Sequence, residues 1–167
     1  MKENLLILGA GQYGQFVREI AEATDRFDRI AFLDDRNPCA IGTLSEYENY
    51  KGDYSYAFVA IGNSELRMLL LNRLKEAGYS LVTLVHPMAE VSPSATVGCG
   101  SVIEPMAVVQ SNAAVGEGTM IASGAVIKHN AVVGNGCYVD CNSTVLAGAV
   151  VPNGEKVFAN TVVEGRK

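Results

Sequence analysis

Histidine is scarce in this chain, with two among 167 residues, at positions 86 and 129. A catalytic zinc site takes about three protein ligands, commonly histidines. Two imidazoles 43 residues apart therefore argue against a metal enzyme such as a carbonic anhydrase, and no metal is expected. The four cysteines, at 39, 99, 137 and 141, lack paired zinc-ligand spacing and read as reduced thiols, with Cys137 packing in a small inward slot. No run of 18 apolar residues occurs, too little for a membrane-spanning helix. The opening MKENLLILGAG enters a strand directly, without the layout of a signal peptide. Lysine and arginine are scattered, 13 against 18 acidic residues for a net charge of −5, which disfavours nucleic acid as a partner. The expectation is a cytoplasmic protein with no membrane partner.

What is present is a period. From Val91 to Val163 every sixth residue is Val or Ile without a break, and a strand that turns a corner every six residues accounts for that spacing. Four residues after each Val or Ile the side chain is small in eleven of twelve hexads, Glu155 being the exception. Three residues after it, ten of twelve are Gly or Asn, residues that tolerate a positive φ at a tight corner. Three hexads make one triangular coil of 18 residues, so residues 91–163 make about four coils of a parallel β-helix. Such coils bury their apolar columns only by stacking. Outward positions one before each Val or Ile should be polar, yet Val108, Val126 and Val162 share one face and Val132 and Val150 another. Apolar stripes of this kind imply a partner surface, and a threefold ring would bury them.

Residues 1–88 follow a different grammar. A short apolar run at 4–8 ends in Gly9-Ala-Gly11-Gln-Tyr-Gly14 and is followed by a helical pattern to about Thr24. Strands are expected at 30–33, ending in Asp34-Asp35, at 56–61, ending in Gly62-Asn63, and at 81–84. Ser64 reads as the N-cap of a helix to about Ala77. Alternating strands and helices indicate a small parallel α/β sheet, Rossmann-like in character, with His86-Pro87 beginning the crossing into the β-helix domain at 89–167. A G-x-G-x-x-G turn after a strand can hold a pyrophosphate on its amides and helix N-terminus, and Asp34 stands where a ribose-binding acid would. The segment supplies about one mononucleotide half, so NAD is a minor reading, and glycines serving only a tight turn are another.

GAGQYG, Phe32–Asp35 (FLDD), Ala60–Arg67 (AIGNSELR), Leu84–Pro87 (LVHP) and Val91–Gly98 (VSPSATVG), in this order before hexapeptides, resemble the sugar O-acyltransferases and nucleotide-sugar N-acetyltransferases. That family includes acetyltransferases of UDP-4-amino-sugars and sialic acid O-acetyltransferase-like relatives. The resemblance implies a left-handed β-helix binding acetyl-CoA, an N-terminal domain binding the nucleotide-sugar acceptor, and a homotrimer with active sites at subunit interfaces. Carried over residue by residue, Gly9, Gly11 and Gly14 match the loop approaching the acceptor's phosphates. Asp34 and Asp35 match acids that read the base, and Gly62 and Asn63 line the same crevice. Tyr13 stands where the family often has His.

In that register Ile127–Gly134 matches the catalytic-histidine hexad, which makes His129 the general base, and His86 is read as structural. The family commonly places an acid after this histidine. Here it is Asn130, which cannot supply a negative charge to the imidazolium. Residues 18 apart lie one coil apart, about 4.8 Å, so His129 stacks between Ser111 and Ala147. The resemblance gives the Ala147 N–H the task of polarising the thioester carbonyl, with Gly148 beside it. After His129 the tail of 38 residues is shorter than the family's, with Lys156, Arg166 and Lys167 as candidate phosphate partners. The activity implied is N-acetylation of a nucleotide-linked amino sugar. O-acetylation of a sugar hydroxyl and a non-catalytic nucleotide-sugar scaffold are the alternatives.

Overall fold

A computed structural model describes residues 3–165; Arg166 and Lys167, two of the candidate phosphate partners, lie outside the described residues. The chain divides into two compact units at Val82/Thr83, six residues ahead of the boundary expected from the sequence. The reason is local. The expected strand at 81–84 splits, with Ser80–Leu81 joining the first sheet and Leu84–Val85 pairing with Val102–Ile103 in the β-helix.

The N-terminal unit is a four-stranded parallel sheet. Strand β1 (Glu3–Leu8), helix α1 (Gln12–Ala23), β2 (Phe27–Leu33), β3 (Tyr56–Val59), helix α2 (Ser64–Glu76) and β4 (Ser80–Leu81) follow one another, in the spatial order β2-β1-β3-β4. Leu5 to Leu8 are fully buried, so β1 reads as a continuous apolar run, as a central parallel strand covered on both faces should. Between β2 and β3 lies a 3₁₀ turn, Leu44–Tyr50, that the hydrophobic pattern did not announce. Its start carries a capping box, Thr43 with Glu46, a signal legible in the sequence. The N-cap of α2 is Asn63 rather than the expected Ser64: its side chain accepts from the Leu66 N–H at 2.8 Å. Both residues are cap formers, and local spacing alone does not decide between neighbours.

In the second unit, two-residue strands from Leu84 to Val163 stack into three parallel sheets of four, five and five strands. The register is the 18-residue one: Ile103 pairs with Ile121 and Ile121 with Val139. The Val/Ile column is the core, with Ile103, Val109, Ile121, Ile127, Val139 and Val145 all fully buried. Small buried polar residues are satisfied in series. Ser101 Oγ donates to the Gly116 carbonyl at 2.7 Å and accepts from the Thr119 N–H at 2.9 Å. Thr119 Oγ1 donates to the Gly134 carbonyl at 2.7 Å and accepts from the Cys137 N–H at 3.1 Å. Buried polar groups with complete partners cost little. Cys137 is fully buried at the top of this ladder, and burial pushes its thiol up, which makes it a packing residue.

The corners take the left-handed backbone the composition implied. Asn112, Asn130, Asn142 and Asn160 sit at φ from 56° to 58°. Met106, one of the two corner residues that are neither Gly nor Asn, adopts φ 64° as well, and its side chain is exposed. A Cβ in this region costs about 1–2 kcal/mol, less for Asn, whose short polar side chain bonds locally, so Met106→Asn should stabilise the protein by about 1 kcal/mol. Chemical denaturation measures it, and an unchanged or lower midpoint contradicts the strain at this corner.

Candidate active site

Three groups of sequence-singled residues meet at the carboxyl ends of the first sheet: Gly9–Gly14 after β1, Asp34–Asp35 after β2 and Gly62–Asn63 after β3. The strand order switches direction between β1 and β3, and parallel sheets bind ligands at such a crevice. The glycines there separate into two kinds. Gly9 has φ +104°, and a Cβ on it would stand 2.7 Å from the Ala60 carbonyl oxygen, while one on Gly14 would stand 2.1 Å from the Gly9 oxygen. Those two are fixed by the chain's own packing. Gly11, the N-cap of α1, has an ordinary φ of −66°. A Cβ on Gly11 or Gly62 would meet nothing within 4 Å. Open backbone at a helix N-terminus is what a phosphate needs.

Asp34 and Asp35 do different things. The Asp34 carboxylate accepts from the Ala10 N–H at 2.8 Å and from the Arg36 and Asn37 N–H groups at 2.9 Å. These bonds, the one from Ala10 first, hold its pKa below the ordinary carboxylate value. Asp34 thereby ties the end of β2 to the glycine loop, and Asn37 Nδ2 adds a bond to the Ala10 carbonyl at 2.6 Å. Asp35 is exposed and accepts through Oδ1 from the Leu44 N–H at 2.9 Å. Asn63 spends its oxygen on the α2 cap, and Tyr13 is half-buried with its ring 6.3 Å from that of Phe16. Arg67, given no role by the sequence, is 1% exposed and donates through Nη1 to the Ile61 and Gly62 carbonyls at 2.7 and 3.0 Å. It shapes the turn that presents Gly62; an arginine on the inward stripe of a helix was the signal available.

His129 and Asn130 are exposed at a corner of the β-helix. They line an open groove of about 640 Å³ together with Glu90, Ser92, Gln110 and Ser111. Asn130 Nδ2 lies 3.3 Å from His129 Nδ1, and Gln110 Oε1 accepts from the His129 N–H at 3.1 Å. Gln110 was missed in the sequence, although its offset of 19 residues, one coil plus one step, is readable there. One coil above, the Gly148 N–H donates to the His129 carbonyl at 3.3 Å. The N–H of Ala147 has no partner among the described residues. His86 Nδ1 accepts from the Met88 N–H at 3.0 Å, a local structural role. Among the described residues no group of three or more His, Cys, Asp or Glu could hold a metal ion, and no helix is long and apolar enough to cross a membrane.

The packing of the glycine loop predicts a contrast. Gly14→Ala should destabilise by about 1–3 kcal/mol, as overpacking does, while Gly11→Ala should leave the melting temperature within error; equal effects would contradict the steric assignment. Asp34 adds a pH dependence. A depressed folded-state pKa contributes stability that is present above the unfolded value of about 3.9 and is lost as pH falls through the folded value. Asp34→Asn should therefore melt below the parent at pH 7, and the gap should close in acid. A gap that persists unchanged below that window contradicts the carboxylate's role.

Residues 4–74 match the PglD N-terminal domain family, and residues 94–129 match the bacterial transferase hexapeptide family. A UDP-N-acetylbacillosamine N-acetyltransferase of Bacillus subtilis (strain 168) is 32% identical over 111 residues, 60% of this chain and 51% of the relative. The chain thus spans about half the length of that curated relative. The acetyltransferase domain of PglB from Neisseria gonorrhoeae FA1090 superposes with a TM-score of 0.88 at 27% identity, covering 98% of this chain and 92% of that one. The same domain in complex with acetyl coenzyme A gives 0.66 at 26% identity, over 93% and 96%. A mutant GDP-perosamine N-acetyl transferase from Caulobacter crescentus, in complex with CoA and GDP-perosamine, gives 0.55 at 26%, over 96% and 90%. The chain thus carries a PglD N-terminal domain ahead of a left-handed β-helix of bacterial transferase hexapeptide repeats, and over nearly its whole length it is similar to the PglB acetyltransferase domain.

Proposed function

We propose that this protein transfers the acetyl group of acetyl-CoA to the amino group of a nucleotide-linked amino sugar, of the UDP-4-amino-sugar type. The observation that carries the proposal is the corner at His129: an exposed imidazole on a groove, an amide at its Nδ1, and an uncommitted backbone N–H one coil above. The PglB domain in complex with acetyl coenzyme A and the UDP-sugar acetyltransferase relative support donor and acceptor class.

In this reading His129 Nε2 takes the proton as the amine attacks the thioester carbonyl. The oxygen of the tetrahedral intermediate is received by the Ala147 N–H, with Gly148 next to it leaving the approach open. Collapse breaks the C–S bond, and the imidazolium returns its proton to the leaving thiolate, giving CoA and the acetamido sugar. For Nε2 to accept, Nδ1 must carry the ring proton. With its amide oxygen turned toward Nδ1, Asn130 accepts that proton's hydrogen bond and fixes the tautomer, as an asparagine does for the histidine of papain-like proteases. What it cannot give is charge stabilisation of the imidazolium.

In the N-terminal unit, Gly11 and Gly62 leave the backbone open to the acceptor's phosphates, and Gly9 and Gly14 hold the loop that presents it. Because Asp34 already takes three N–H groups, reading of the base falls to Asp35, with Tyr13 and Asn63 at the edge of the crevice. Lys156, exposed on the second unit, is the described cation offered to a CoA phosphate. The exposed Val132 (41%), Val150 (62%) and Val162 (57%) support a homotrimer, and a cytoplasmic location suits both substrates.

His129→Ala should reduce turnover about 10²–10⁴-fold, the worth of a positioned general base, with little change in melting temperature. Asn130→Asp should raise turnover, and its corner should survive since Asp also tolerates positive φ. CoA thiol release against UDP-4-amino-sugars measures both. A parent that binds UDP-sugars and releases no CoA would establish the scaffold reading instead, and release only with sugars that offer a hydroxyl and no amine would establish O-acetylation.

A further inference from the structure

Two backbone N–H groups just before β-helix corners are capped by the same device. Glu104 Oε2 accepts from the Ser123 N–H at 2.9 Å, and Gln110 Oε1 accepts from the His129 N–H at 3.1 Å. In both, the acceptor lies 19 residues earlier, immediately after a buried Ile or Val. The offset is geometric: one 18-residue coil brings the two corners level, and one further step brings the side chain under the N–H. Where the residue 19 earlier is glycine, a different acceptor takes over: Asn135 Oδ1 receives the Glu117 N–H and Asn153 Oδ1 the Asn135 N–H, each at 2.8 Å.

Applied to Ala147, the same offset points to Lys128. The register does not change between these coils: Val108 pairs with Val126 and Val126 with Thr144. Lys128 therefore stands to Ala147 as Gln110 stands to His129. An ammonium group has donors and no acceptor, so it cannot cap an N–H, and the Ala147 N–H is without a partner among the described residues. On the coil below, the Ser111 N–H is open too; there the short Ser92 side chain stops at the Ser111 hydroxyl, 3.4 Å away. In its own column of corners His129 thus lies between two uncapped N–H groups, those of Ser111 and Ala147.

We infer that residue 128 sets the availability of the Ala147 N–H, and that a lysine there keeps this donor open for a carbonyl oxygen of the acyl donor. The inference rests on the acetyl-transfer reading for the identity of that oxygen. Lys128 touches no substrate in this account; it acts by lacking an acceptor. Its placement in the hexad would accommodate Gln or Glu without strain, as positions 110 and 104 do, so the chemistry of the side chain is the variable.

The experiment compares Lys128→Gln with Lys128→Met in the full chain. Both remove the charge, and only glutamine restores an acceptor. Amide hydrogen exchange at Ala147 should be fast in the parent and in Lys128→Met and protected in Lys128→Gln. The Ala147 amide resonance should shift on addition of acetyl-CoA in the first two and shift less in the third. Turnover of CoA release should fall roughly two- to twelvefold in Lys128→Gln, the worth of displacing one neutral hydrogen bond, with KM for the nucleotide sugar unchanged, and should hold in Lys128→Met. Equal exchange in the two variants overturns the capping argument. A protected amide with undiminished turnover overturns the role of the N–H in the reaction. A parent with no CoA release at all refutes the acetyl-transfer reading, and the exchange and acetyl-CoA shift comparisons still decide whether position 128 controls the donor.

Discussion

Everything in the second unit depends on one constraint: the chain must turn a corner every six residues and come back level after 18. The buried Val/Ile column meets it from inside and the left-handed corners meet it from outside. Neither works alone, because a two-residue strand has too little burial to stand by itself and gains it only from the coils above and below. The same constraint makes the candidate site. Exact stacking turns an offset in sequence into a position in space, so that Gln110, His129, Lys128 and Ala147 become neighbours without any long-range coincidence. It also explains why the chemistry sits at a corner. Inward positions are filled and strand amides are paired, whereas just before a corner the backbone presents an N–H that a side chain can either cap or leave.

The first unit solves a different problem with a shared economy. A parallel sheet ends all its strands at one edge, and there Asp34 draws three amides together while Arg67 holds the carbonyls of the β3–α2 turn. The loop that would face a phosphate is therefore rigid before any ligand arrives. Pre-organisation of this kind lowers the ordering cost of binding. Gly11 and Gly62, which no internal contact requires to be glycine, are the places where that rigid edge stays bare.

Much of this was legible in the sequence, for a physical reason. A period of six leaves no competing structure, so the interior column, the corners and the 18-residue register could be written down residue by residue. The parallel sheet was legible from its apolar runs and its glycine turn. What was not legible was anything set by competition between near-equal choices. Asn63 and Ser64 are both good caps, and the chain's packing chose the first. Asp34 and Asp35 are identical in type, and only the fold shows that one is consumed by backbone amides while the other stays open. The strand expected at 81–84 was divided because two sheets contend for it and a short apolar run fits both. Met106 shows the corner rule overriding residue preference: the backbone turns left-handed there because its neighbours do. The 19-residue caps were present in the sequence from the start, but an offset has meaning only once the coil length is known.

The most direct test of the central claim is the product itself. The parent protein, incubated with acetyl-CoA and a UDP-4-amino-sugar, should yield by mass spectrometry a nucleotide sugar carrying one acetyl group as an amide, together with one equivalent of free CoA. The same mixture with His129→Ala should yield it far more slowly. An unmodified sugar beside intact acetyl-CoA, in a sample that binds both, would contradict the account.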